Sequence, residues 1–326
     1  MSPQDAPAFL PFHADEQAAQ ALAGVAAGRA AIRPFMPEQH RTFFAGLGYL
    51  FTATLDDGGW PMGSMLWGAP GFIGSPDAAT LHIHARPRDD DPASGGFAVG
   101  REIGLLGLDL TNRRRNRANG RIASTRDGIT VSIAQSFGNC AQYIQTRTPR
   151  PRPAQPTAVE PLAALPLATL PLATLPLATL PLATLDAAAR ALIAGSDTFF
   201  VASRSRESVG AMGGPDMSHR GGRPGFVALQ GDTLVIPDFR GNRYFNTLGN
   251  LLGEPRAGLL FVDFATGDLL QLQGRTVIDW HPASGPAKAE RLWRVEIERG
   301  WRRRGALPFS WTFDGFAPTT LATGVW

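Results

Sequence analysis

Three short blocks of this sequence recur at one fixed spacing. The tripeptide Pro-Gly-Phe starts at Pro70 and again at Pro224, and a Gly-Leu-Leu block starts at Gly104 and again at Gly258. Asn-Gly-Arg and Gln-Gly-Arg form a third pair at the same spacing of 154 residues. Three separated blocks in one register indicate a tandem duplication, and the period is that of a domain rather than of a solenoid repeat. We therefore expect two related domains in one chain.

Length and composition agree with two small, turn-rich domains. The 326 residues give room for two domains, each of the usual ~100–200 residues. The 37 glycines and 27 prolines favour turns and short strands. Alternating residues predict strands at 49–55, 64–66, 80–84, 103–110, 128–133, 198–203, 225–229, 233–236, 257–264 and 269–278. Helices are expected at 18–31, from 37 onward, and at 186–194, 246–252 and 286–292. Short antiparallel strands in two copies predict a mostly β fold of two small β-barrels.

The chain is basic without the pattern of a nucleic-acid binder. It has 31 basic against 28 acidic residues, and every basic residue except Lys288 is an arginine. The densest basic run, 113–117, lacks the interleaved aromatic residues on which bases stack, so we interpret it as a solvated hairpin tip. A GC-rich coding bias would explain the arginine excess, although arginine also binds phosphate through two nitrogens at once. No nucleic-acid partner is expected.

Cysteine and histidine usage limits the kinds of site. Cys140 is the only cysteine, which excludes an intrachain disulfide and a cysteine-rich metal site. His82 and His84 share one face of a predicted strand, but no third ligand is evident, so no metal site is expected. The N-terminus is acidic and lacks the basic start of a secretory signal. These features predict a cytoplasmic protein.

A proline-rich segment, 147–185, separates the two halves. It ends in pentads of the type Pro-Leu-Ala-Thr-Leu that begin at Pro161 and are uncharged over the length of a membrane span. A proline at every fifth position would remove helical hydrogen bonds repeatedly, which argues against a membrane-spanning helix. We therefore interpret 147–185 as a linker between domains at 41–146 and 186–326, after an N-terminal helical extension at 1–40.

One stretch of the second half has the composition of a phosphate-binding loop. Residues 218–261 are predicted to form a strand, a loop rich in Arg, Gly and Asn, a short helix and another strand. Such a loop offers guanidinium groups and open backbone N–H groups to a phosphate, and a helix N-terminus nearby adds a favourable dipole. A solvated turn whose arginines bind nothing is an equally good interpretation of the spacing alone.

Three motifs in this stretch resemble the FMN-binding split-barrel family related to pyridoxamine 5′-phosphate oxidase. They are Ser-x-Arg-Gly-x-x-Pro-Gly-Phe-Val from Ser218, Ile-Pro-Asp-x-x-Gly-Asn-Arg from Ile236, and Asn-Leu-Leu-x-x-Pro-Arg-x-Gly-Leu-Leu-Phe from Asn250. The first half is similar to a companion copy in bacterial members, at 135–140 and 143–145. The resemblance covers most of the chain apart from the extension and the pentads.

The resemblance implies two tandem split barrels of six strands that pair within the chain as a pseudo-dimer, with FMN in a cleft at the pairing surface. It places Arg243 and Asn242 at the FMN phosphate, with Arg220 and Ser218 beside them. Asp238 would fix the loop or contact the ribityl hydroxyls, and Gln271 would reach the flavin edge. The first copy lacks the Gly-Asn loop and is expected to serve only as the pairing partner.

The sequence departs from the oxidase itself. Tyr244 stands where the oxidase has a basic residue, and the Arg-x-x-Leu-Leu-Lys strand is missing, so that particular activity is not expected. We expect an FMN-dependent oxidoreductase that acts on a small molecule, with an external reductase or a nicotinamide donor; no catalytic residue can be assigned. The alternatives are a flavin-binding or sensing module without turnover, and a haem-binding split barrel with His219 as the ligand. Association of two chains into a homodimer stays open.

Overall fold

The computed structural model describes residues 11–25, 30–153, 157–163, 184–206 and 213–326. Most of the predicted pentad segment, residues 164–183, lies outside this part of the chain. No described helix is both long enough and apolar enough to cross a membrane.

The first unit is a seven-stranded antiparallel sheet preceded by a helix. After α1 (Ala14–Leu22) and α2 (Glu38–Ala45) come β1 (Tyr49–Leu55), β2 (Pro61–Trp67), β3 (Ile73–Asp77), β4 (Thr80–Ile83), β5 (Glu102–Asp109), β6 (Arg114–Ser124) and β7 (Ile129–Gly138). Their order in the sheet is β2-β1-β5-β6-β7-β4-β3. Buried side chains from all seven strands and from α2 meet in one core, which indicates a sheet curled around its own interior.

The second unit repeats this arrangement. Its elements are α3 (Ala187–Gly195), β10 (Thr198–Arg204), β11 (Pro215–Gly221), β12 (Ala228–Gln230), β13 (Thr233–Phe239), α4 (Asn246–Gly253), β14 (Arg256–Val262), β15 (Leu269–Asp279) and β16 (Ala289–Arg304). The strand order, β11-β10-β14-β15-β16-β13-β12, matches that of the first sheet position by position. Neither sheet order returns to its starting strand, so the described residues form open, split barrels, with seven strands in the main path of each instead of six.

Two glycines show how closely the units pack. A Cβ on Gly104 of β5 would lie 2.5 Å from the carbonyl oxygen of Pro215 in the other unit. A Cβ on Gly258 of β14 would lie 2.4 Å from the carbonyl oxygen of Pro61 in the first unit. Both the glycines and the prolines are 154 residues apart. The two contacts are therefore counterparts across an approximate twofold relation, and only glycine leaves room for them.

The units are joined by a third core, built from the outer faces of β1, β5, β10 and β14. The rings of Phe51 and Phe200 stack at its centre with their centroids 3.7 Å apart, and both side chains are fully buried. Met65 and Met217, which are 152 residues apart, lie in the same core. Burial of such a large apolar side chain stabilises the fold by about 1.5–3 kcal/mol. The expected fold class is confirmed: mostly β, with two similar units in tandem that pair within the chain.

The segment interpreted as a linker contains strands. β8 (Thr146–Pro151) pairs with β17 (Phe309–Gly315), which is followed by α5 (Pro318–Leu321). β9 (Ala158–Pro161) pairs with the end of β16. The prolines led to the prediction of a linker, but these two segments are edge strands. An edge strand tolerates proline because one side of it has no neighbouring strand to receive an N–H.

Two predicted helices differ from the structure. The segment 286–292 is wrong as a helix: Lys288 has a left-handed φ of 70°, and β16 begins at Ala289. The helix expected at 18–31 begins earlier, at Ala14, and ends at Leu22, with Gly24 at a φ of 64° soon after it. The alanine-rich composition gave the helix type correctly but not its bounds; the start is marked by Asp15 and Glu16 in the first turn, where Glu16 accepts from the backbone N–H of His13 at 3.0 Å.

Candidate anion-binding cleft

A polar cleft opens where β6 of the first unit faces β11 and β13 of the second. The segment 139–143 closes one side, and the loop between β13 and α4 closes the other. Two adjoining cavities form the cleft and share Arg117, Arg220, Asp238, Phe239, Gly241 and Asn242. Both units therefore contribute to one site, as expected for a ligand at the pairing surface.

The first unit contributes two arginines from alternate positions of β6. Alternate residues of a strand share one face, so Arg115 and Arg117 both reach across to the second unit. Arg117 donates to Ser218 Oγ at 2.6 Å and to Asp216 Oδ1 at 3.2 Å, and the three side chains are buried. Arg115 donates to His219 Nδ1 at 3.1 Å. The run 113–117 is thus not a solvated hairpin tip, because β6 begins at Arg114 and carries these arginines into the interface.

Unpartnered hydrogen-bond donors concentrate at this cleft. Buried nitrogens without a partner occur at Nε of four of its arginines and at Nε2 of His219; the arginines are Arg115, Arg117, Arg220 and Arg243. The one lining side chain with an unpartnered acceptor is Asn139, through Oδ1. An unsatisfied buried polar group costs about 1–3 kcal/mol. The cleft lining thus has more donors than acceptors, a surplus that suits a ligand rich in acceptor atoms.

His219 lines the cleft as a neutral imidazole. A guanidinium group can only donate, so the contact with Arg115 makes Nδ1 of His219 an acceptor. Burial, followed by the charges of Arg115 and Arg220, holds the pKa of His219 well below its ordinary value. The ring is therefore neutral at physiological pH, and its single proton lies on Nε2.

The loop before α4 has the geometry of a tight anion-binding turn. Arg243 and Phe245 both have left-handed φ values, 61° and 60°. Asn242 Oδ1 accepts from the backbone N–H of Tyr244 at 3.1 Å, which fixes the turn. The Arg243 side chain is 38% exposed and has a distant ion pair with Glu290, 3.8 Å away. The first turn of α4 also lines the cleft, so its N-terminal dipole favours an anion there.

Asp238 organises the arginines of the second unit. Its Oδ2 accepts from Arg291 Nε at 2.9 Å, and its Oδ1 lies 3.6 Å from Arg220 Nη1. Asp238 is thus engaged with two cations, which belong to β16 and β11; its expected role in fixing the loop stays a prediction. Sequence reasoning missed Arg291 because its segment was interpreted as a helix; in β16, an alternating strand pattern would have placed it.

The predicted site residues divide into three groups. Arg220, Asp238, Asn242 and Arg243 line the cleft. Ser218 lies behind it and accepts from Arg117 and from Thr247, the latter at 2.7 Å. Gln271 lies elsewhere, where it donates to the carbonyl oxygen of Gly63 at 2.8 Å and to Asp91 Oδ1 at 3.0 Å.

The N-terminal extension packs on α4, the helix whose first turn lines the cleft. Asn246 of α4 donates to the buried carboxyl group of Glu16 in α1. Burial, followed by the negative charge of Asp216, raises the pKa of Glu16 to about 8. His13 Nε2 forms a hydrogen bond with Asn250 Oδ1 at 2.8 Å. Nothing in the sequence pattern of an alanine-rich helix indicated these contacts.

Comparisons with known proteins add little to this description. No protein-family model matches the chain, and no curated protein shows a significant match. Among solved structures, HupZ of Group A Streptococcus has a TM-score of 0.26 at 16% identity, covering 33% of this chain and 86% of its own. A HupZ variant gives a TM-score of 0.29 at 14% identity, covering 36% and 98%. An FAD-binding protein from Mesorhizobium loti gives 0.26 at 14% identity, covering 37% and 95%. Similarities this low assign no function to the chain.

Proposed function

We propose that the cleft binds FMN and that the protein is an FMN-dependent oxidoreductase acting on a small molecule. The observation that carries this proposal is the set of unpartnered donors from both units around one cleft. FMN offers the complementary acceptors: phosphate oxygens at one end, and ring carbonyls and ring nitrogens at the other. The donor set therefore fits this cofactor.

The two ends of the cleft suit the two ends of FMN. Arg243, Asn242 and Arg220 surround the turn before α4 and would hold the phosphate through charge-assisted hydrogen bonds. Arg115 and His219 lie at the other end, beside the aromatic ring of Tyr143, and would hold the acceptor edge of the flavin ring. Bound FMN would supply hydride or electron transfer. Burial lowers the pKa of Arg115 to about 10, so this side chain stays charged at neutral pH and would stabilise a reduced, anionic ring.

Haem is a weaker candidate for the same cleft. A haem ligand needs a free lone pair, whereas the contact with Arg115 occupies the lone pair of His219 Nδ1 and leaves the proton on Nε2, so neither ring nitrogen offers one. A reduction assay separates an enzyme from a flavin-binding module without turnover. In the module, neither a nicotinamide donor nor an external reductase would reduce the bound flavin.

The test is flavin binding by matched arginine variants. We would record the visible spectrum of the purified protein, identify any released chromophore by mass spectrometry, and titrate FMN. Arg243→Ala should weaken FMN binding about tenfold or more, since a charge-assisted hydrogen bond contributes about 1.5–3 kcal/mol. Arg240→Ala, an exposed arginine three residues earlier, should change the affinity less than about twofold, since an exposed ion pair contributes only ~0–1 kcal/mol. A protein that takes up no flavin, or one that shows a haem Soret band, would overturn the proposal.

A further inference from the structure

The single thiol of this chain lies in the cleft. Cys140 follows β7, is partly buried and lines the same cavity as Arg115, His219 and Arg220. Arg115 Nη2 approaches Cys140 Sγ to 3.7 Å, a weak charge-assisted contact. The thiol donates in turn toward Gln142 Oε1, 3.9 Å away. The sulfur therefore borders a space that a small ligand can enter.

The same space is built to attract anions. His219 is 5% exposed, and its Nε2–H has no partner among the described residues. The lining cations are Arg115, Arg117 and Arg220, whereas the only lining carboxylate among the described residues is Asp238, which is engaged by Arg291. An anionic reagent that enters the cleft thus meets an excess of positive charge next to the sulfur.

We propose that Cys140 is a covalent modification site for small anionic electrophiles. The reactive species is the thiolate, whose proton leaves to solvent. The sulfur attacks the electrophilic carbon, a C–S bond forms, and the leaving group departs with the electron pair of its former bond. The arginines concentrate the anion at the sulfur before this step. The reaction involves no oxidation, and because bound FMN would fill the same cleft, it is measured on protein freed of any flavin.

The experiment compares two alkylating agents that differ only in charge. Iodoacetate is an anion and iodoacetamide is neutral; both transfer a two-carbon group to sulfur with loss of iodide. Their rate ratio at Cys140 would be measured by intact-protein mass spectrometry and divided by the same ratio for free glutathione. We expect this selectivity to exceed that of glutathione about tenfold, the lower end of electrostatic rate enhancement. Cys140→Ser should abolish labelling, because the chain has one cysteine.

Neighbouring arginines provide the matched variants. Arg115→Gln should reduce the selectivity for iodoacetate, whereas Arg114→Gln should leave it unchanged, since Arg114 lies over Phe43, away from the cleft lining. Circular dichroism would verify that each variant is folded. High salt, which screens charge without a mutation, should lower the selectivity of the wild-type protein.

Three results would overturn the proposal: a selectivity equal to that of glutathione, a selectivity insensitive to salt, or equal effects of the two variants. None of these depends on flavin binding. A protein that fails to bind FMN but prefers iodoacetate would leave this inference standing while removing the proposed function. A protein that binds FMN without this preference would do the reverse.

Discussion

Arg117 and Gln271 occupy equivalent positions in the two units but have opposite surroundings. Arg117 pairs with Leu106 on the neighbouring strand, and Gln271 pairs with Leu260, each residue 154 positions from its counterpart. Arg117 borders an open cleft, whereas Gln271 is fully buried in a closed polar cluster. The repeated architecture thus creates two related sites between the units. The site at Arg117 is an open cleft, and the site at Gln271 is filled by side chains.

The closed position is filled by the protein itself. Arg303 Nη1 donates to Asp91 Oδ2 at 2.8 Å, and Ser64, the counterpart of Ser218, donates to the same carboxylate. We therefore predict one ligand per chain. Equilibrium titration with FMN, followed by flavin fluorescence, should give one site, and two equal sites would show that the cluster opens.

Breaking the closed cluster should destabilise the fold. The side chains of Arg303 and Asp91 are 2% and 1% exposed, so Arg303→Ala would leave a buried carboxylate without its cation. We expect a loss of about 3–5 kcal/mol in the free energy of unfolding. Arg304, the next residue, forms an exposed pair with Glu160, and Arg304→Ala should change the free energy of unfolding far less, because solvent screens this pair. Urea unfolding of both variants checks the difference, and similar losses would contradict it.

The close approach of the units at Gly104 should not tolerate a methyl group. Gly104→Ala forces the Cβ against the Pro215 carbonyl oxygen, 2.5 Å away, and this backbone atom cannot rotate aside. Overpacking of this kind costs about 1–3 kcal/mol. A Cβ on Gly74 would meet no atom within 4 Å, so Gly74→Ala serves as the control and should change stability by less than about 0.5 kcal/mol. Equal midpoints of thermal unfolding for the two variants would disprove the prediction.

Glu16 should make stability fall as pH rises. Its pKa is raised from 4.5 to about 8 in the folded protein, chiefly by burial. Because the folded state then holds the proton more tightly than the unfolded chain, its contribution is complete below pH 4.5 and is lost as pH rises toward about 8. We expect a decrease of at least about 1.4 kcal/mol in the free energy of unfolding between pH 5 and pH 8, equivalent to one pKa unit.

The matched variants for this prediction are two glutamines. Glu16→Gln keeps the size of the carboxyl group but removes its titration, so its stability profile between pH 5 and pH 8 should be flatter than that of the wild type, even though the amide nitrogen cannot accept one of the two hydrogen bonds of Glu16. Glu38→Gln, on an exposed side chain, should follow the wild-type profile. Parallel profiles for all three proteins would show that Glu16 does not control the pH dependence.

The sequence predicted the architecture better than the site. The repeated blocks and the alternating residues were enough to predict two β units, because both patterns can be read directly from the order of the residues. The interface residues were harder to predict from the sequence. Arg115 and Arg117 resemble an exposed basic run, and only the pairing of β6 with β7 and its contact with β11 show that they lie in the interface. Gln271 was expected at the flavin edge, yet sequence alone does not say which member of a repeated pair faces the open cleft. The contact of Glu16 with Asn246 spans 230 residues and leaves no local pattern.

The separation of Glu16 and Asn246 along the chain also affects the order of folding during synthesis. Glu16 of α1 precedes its partner Asn246 of α4 by 230 residues, so α1 is synthesised well before α4. At a synthesis rate of about 5–20 residues per second, α1 spends roughly ten seconds or more without its partner. The contact between α1 and α4 therefore forms only late in synthesis, after all the strands of the first β unit have been made.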